Sequence, residues 1–136
     1  MDIYLKLRNV ATKHYPNETN YCGVIALAVA TGWRFGKARS VLFNKAGRRD
    51  RQGTHIALLH RALKEYGYKA VFTSVAGAKT LVTAQKVLKN TKGTYFVYTK
   101  RHVTTIKDGV CEDWSHNDRG TKKLYRIESI YKIEKV

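Results

Sequence analysis

Acidic residues are scarce in this chain: 10 Asp and Glu stand against 26 Lys and Arg in 136 residues, a formal net charge of +16. That imbalance excludes an ordinary near-neutral domain and makes a negatively charged partner, nucleic acid or an acidic protein, an expectation from the outset. Cysteine is scarcer still. Cys22 and Cys111 stand alone, which argues against a disulfide framework and predicts reduced thiols in a non-secreted protein. Proline occurs once, as Pro16 in the polar stretch HYPNETN, and no linker, repeat or low-complexity segment divides the chain. Long apolar runs are missing too: the longest, Val24 to Ala30, falls far short of the roughly 20 residues a membrane-spanning helix needs. The first residues, MDIYLKLRNV, lack the basic start, apolar core and cleavage signature of a secretory leader. The expectation is one soluble, cytoplasmic domain over residues 1–136, large enough to bury a core without metal or disulfide support.

Hydrophobic residues make up 43% of the chain, and their spacing divides it into two halves. Cys22 to Thr31 is small and apolar on every face, as in a helix buried all round, and Gly32 closes it. RFGKARSVLFNKAG carries Phe35, Ala38, Val41, Leu42 and Lys45 at helical spacing. After the basic loop GRRDRQG, Thr54 is placed to cap HIALLHRALKEYG, whose stripe is Ile56, Leu59, Leu63 and Tyr66. YKAVFTSV reads as a short strand and KTLVTAQKVLKN as a further helix with Leu81, Ala84, Gln85 and Leu88 on one side. TYFVYTKRHVTTI is the strongest β signal, and KKLYRIESIYKI supplies one or two more strands. Helices over about 17–90 followed by an antiparallel sheet over about 94–134 predict an α+β fold, the helices packed on the sheet.

Asp108-Gly109 favours a two-residue hairpin turn, which pairs Lys107 with Val110, Ile106 with Cys111, Thr105 with Glu112 and Thr104 with Asp113. His102, Thr104 and Ile106 then share a face with Cys111 and Asp113. His102 and Asp113 become diagonal neighbours at roughly 7–8 Å, within reach of an imidazole–carboxylate hydrogen bond. An acyl-transfer site needs such a pair together with a nucleophile. Cys22 opens a helix, where unpaired amides favour the thiolate; Gly23 leaves room beside the sulfur, and the Cys22 amide is free to bind an oxyanion. A second oxyanion donor would be Asn17, or alternatively Asn20.

An asparagine-x-cysteine start with NYCGVIALAVATG, followed by KGTYFVYTKRHVTTIKDGVCEDW, resembles the papain-like cysteine peptidase superfamily, and more narrowly a group of small phage and bacterial proteins. The similarity spans roughly Asn17 to Trp114. It implies a papain-like fold, Cys22, His102 and Asp113 as a triad, and a place in the host cytoplasm for a phage product. No glutamine precedes Cys22, where papain carries its oxyanion glutamine, and Asp113 stands where papain has an asparagine.

Several residues have plainer readings. Cys111, in mid-strand next to a turn, lacks a helix dipole and reads as packing. His14, His55, His60 and His116 show no metal-ligand spacing with the cysteines, so neither metal nor cofactor is implied. His55 and His60 read as the solvated side of their helix. Tyrosines 95, 98, 125 and 131, interleaved with basic residues, would suit a nucleic-acid surface, although alternating strands produce such tyrosines anyway. Two functions follow: a thiol hydrolase acting on a protein or peptide substrate, steered there by charge, or an idle binding protein of the same fold that contacts nucleic acid or an acidic host protein.

Overall fold

A computed structural model describes residues 3–14, 22–44, 56–99, 102–112 and 126–136, with the backbone alone at 3–5, 8, 12, 82, 102, 111 and 112. The described elements are helices α1 (Ile3–His14), α2 (Cys22–Thr31), α3 (Phe35–Asn44), α4 (Ile56–Glu65) and α5 (Leu81–Leu88). The strands are β1 (Tyr68–Phe72), β2 (Thr94–Thr99), β3 (His102–Lys107), β4 (Val110–Glu112) and β5 (Ile127–Lys135). The fold is α+β. Its strands form one five-stranded sheet of order β1-β5-β2-β3-β4, antiparallel at every junction.

α2 forms the centre of the helical layer. Gly23 through Ala30 are all buried, because small side chains let α1, α3 and the sheet close on every face of the helix. Val24 and Leu27 are fully enclosed, each burial stabilising the fold by roughly 1.5–3 kcal/mol. Gly32, at φ +80°, ends α2 and donates its amide to Ala28 O at 2.9 Å.

The two faces of the sheet bury different sets of residues. Phe96, Tyr98, Val103 and Ile133 join the core beneath α1–α4. On the opposite face Tyr95, Val97, Ile106 and Ile130 pack with Leu81, Ala84 and Leu88 of α5. The sheet is therefore covered on both faces, by α1–α4 on one and α5 on the other. β1, read within the helical half, supplies a sheet edge, and β5 returns from the C-terminal side to lie between β1 and β2. The N-terminal segment, where the sequence suggests no element, forms α1. The run TYFVYTKRHVTTI divides into two paired strands, Thr94 with Lys107 through Thr99 with His102.

Two α4 expectations need correction. Ile56 and Tyr66, assigned to the buried stripe, are exposed, and the inward residues are Leu59, Ala62 and Leu63. The two exposed members stand at the ends of the stripe: Ile56 is the first residue of α4, and Tyr66 lies one residue past its last, Glu65. Thr54, the expected cap, lies outside the described residues.

Candidate functional site

The β3–β4 hairpin has the register the turn chemistry dictates: Lys107 pairs with Val110, Ile106 with Cys111 and Thr105 with Glu112. Asp108 and Gly109 take φ values of 50° and 84°, the two left-handed residues of a type I′ turn. The turn is also locked from outside, since Asp108 Oδ1 accepts from the Gly93 amide at 2.9 Å and the Asp108 amide donates to Gly93 O at 2.8 Å.

α2 lies along β3 and runs in the same direction. Thr105 Oγ1 donates to Ala26 O at 2.9 Å, and Lys107 Nζ donates to Val29 O at 3.3 Å, so successive steps along the strand meet successive steps along the helix. Cys22, the first residue of α2, and His102, the first of β3, consequently stand toward the same end of this layer. Cys22 is half-buried, packed against the core and not in a disulfide. No acidic side chain occupies the first turn of α2, and the unpaired amides there carry partial positive charge.

Alternation along β3 adds a second constraint. Val103 and Thr105 face the α2 side and Ile106 faces α5, which gives position 102 the parity of the α5 face. The described pairing with β4 reaches only Thr105–Lys107, so at residue 102 no described strand flanks β3 on its outer side. Across from it, the β2–β5 register shifts between Tyr98 and Thr99, the kind of irregularity that re-aims side chains. The His102 side chain, Asp113, Asn17 and Asn20 lie outside the described residues, as do Trp114, His55, His116 and Tyr125.

His60 is the residue the sequence reading misplaces. It is half-buried, not on the solvated side of α4: its ring lies 4.6 Å from Tyr131 and 6.2 Å from Tyr98, and its Nε2 is 3.4 Å from the Tyr98 hydroxyl. Burial lowers the His60 pKa below its ordinary value and raises that of Tyr98, with Tyr131 adding to the latter. The phenol stays protonated, and with His60 protonated at Nδ1 it donates to Nε2. The available signal is the position of His60 three residues before the buried Leu63, on the flank of the stripe. Tyr95 and Tyr98 belong to the core, which removes them from the expected nucleic-acid surface. Burial wins because β2 is covered on both faces.

Among the described residues no three His, Cys, Asp or Glu side chains gather as a metal site, and no helix is long and apolar enough to cross a membrane. Comparison with models of known families, with curated proteins and with solved structures finds no match.

Proposed function

We propose that the protein is a cysteine-dependent hydrolase of papain-like fold, cleaving a peptide, isopeptide or related amide bond in a reducing, cytoplasmic setting. The observation that carries this reading is the position of Cys22: a half-buried cysteine outside any disulfide, at the head of a packed helix and at the end of the α2–β3 layer where the His102 strand begins. In this mechanism the Cys22 thiolate attacks the substrate carbonyl carbon. The Cys22 amide and Asn17, or Asn20, hold the oxyanion, and the C–N bond breaks as the His102 imidazolium protonates the leaving amine. Water, deprotonated by the imidazole, then releases the acid from the thioester. Asp113 fixes the tautomer and stabilises the charged ring. For this chemistry the imidazole turns toward α2 at the first residue of its strand, against the parity of Thr104 and Ile106. The positive charge of the chain steers an acidic substrate to the cleft.

Alkylation rate against pH tests the pair directly. In the parent protein the iodoacetamide reaction of Cys22 should rise with a midpoint below the ordinary thiol value of about 8.5, and in His102→Ala the midpoint should move up toward that value. An ordinary midpoint in both proteins, insensitive to the substitution, sinks the assignment. Cys111→Ser in both backgrounds keeps the signal specific to Cys22.

A further inference from the structure

Among the described residues, the pairing of surface charge differs from one face of the fold to another. On the β1–β5 edge the lysines are partly neutralised, Lys69 and Lys132 both approaching Glu134, at 3.7 and 3.8 Å. The α5 segment differs. From Lys79 to Lys92 it carries four lysines, Lys79, Lys86, Lys89 and Lys92, and no acid. All four are exposed, and none makes an ion pair among the described residues. The acid of the neighbouring turn, Asp108, accepts the Gly93 amide and so holds its carboxylate to the backbone.

The mounting of α5 settles where Lys86 and Lys89 stand. Leu81, Ala84 and Leu88 are buried against the sheet, and this fixes the roll of the helix, so Lys86 lies on the outer ridge and Lys89 on its flank. The N-terminus is held by a reciprocal cap between Thr80 and Thr83. The C-terminus is held by the hairpin turn, since a Cβ on Gly109 would lie 1.9 Å from Lys89 O. Lys86 is thus carried on a helix backed by core, Lys89 caps its C-terminus, and Lys79 and Lys92 lie just before and after it.

We propose that the outer face of α5 and the residues flanking its two ends form a sequence-independent nucleic-acid surface that contacts backbone phosphates through Lys79, Lys86, Lys89 and Lys92. Phosphate contact is what flexible ammonium groups supply without reading bases. A protein partner would call for an aromatic or apolar centre, and Val87 is the one exposed apolar side chain described on this helix. Burial of Tyr95 and Tyr98 leaves charge, not base stacking, to provide affinity.

The test is the salt dependence of binding to a fluorescent mixed-sequence DNA duplex, with the full chain. Removing all four charges (K79Q, K86Q, K89Q, K92Q) should flatten the slope of log affinity against log salt by about 2 or more, each lost phosphate contact contributing about 0.9. The pair K6Q and K13Q on α1 should change the slope by less than one such contact, and thermal unfolding of each variant establishes that it is folded. A folded quadruple variant with an unaltered slope overturns the proposal. So does an equal loss in the α1 pair, which would mean diffuse attraction. Displacement of the duplex by polyglutamate at matched charge concentration would make the surface one for acidic protein, and also overturns it.

Discussion

At the scale of single residues, two glycines with nearly the same backbone angle are held for different reasons. Gly32 at φ +80° has nothing within 4 Å of the site of a Cβ, whereas Gly109 at φ +84° would drive one into the Lys89 carbonyl. Gly32→Ala should cost about 1–2 kcal/mol, the left-handed strain alone. Gly109→Ala carries that strain and a backbone collision, and urea unfolding should show it to be the larger loss. His60 yields a prediction in pH. Its folded pKa lies below the ordinary 6.5 because burial penalises the imidazolium. Above pH 6.5 both folded and unfolded chains hold it neutral; as pH falls through that value the unfolded chain takes up the proton first, and stability drops until the folded pKa is reached. The urea midpoint of the parent should therefore fall relative to that of His60→Gln between about pH 7 and pH 5, and a constant difference across that window would contradict the assigned shift.

At the scale of elements, the bond from Thr105 Oγ1 to Ala26 O links the hairpin to α2 where water cannot replace it, beside the partly buried bond from Lys107 Nζ to Val29 O. Thr105→Val keeps shape and volume and removes the donor, so about 1 kcal/mol of stability should disappear on chemical denaturation. Because that link sets α2 alongside β3, the same substitution should also move the pH midpoint of Cys22 alkylation. An unchanged midpoint would mean that the helix start is positioned by packing alone. The hairpin register was legible from two adjacent residues, since Asp-Gly demands left-handed angles that set the pairing of every residue behind them. Helix α2 was legible because ten small apolar residues have no solvated arrangement. α1 went unread, although Leu7 and Ala11 are buried and Val10 packs beside them at helical spacing.

At the scale of the whole molecule, a net charge of +16 repels itself in the compact state more than in the expanded chain. Raising sodium chloride from about 0.02 to 0.3 M shortens the screening length to below about 10 Å and should raise the melting temperature. A melting temperature that falls with salt would show that attractive pairs, not repulsion, dominate the surface.

The α+β class, the buried helix headed by Cys22, the hairpin register and the excess of positive charge could all be determined from sequence, because each depends on neighbours within a turn or a strand, or on composition. Tertiary structure decided the rest. It laid α5 on the far side of the sheet and inserted β5 between β1 and β2, and no local spacing carries either fact. It gave position 102 the parity of the α5 face while bringing the start of its strand to the same end as Cys22. Local alternation establishes which residues share a face; only the packing of distant elements decides what that face meets.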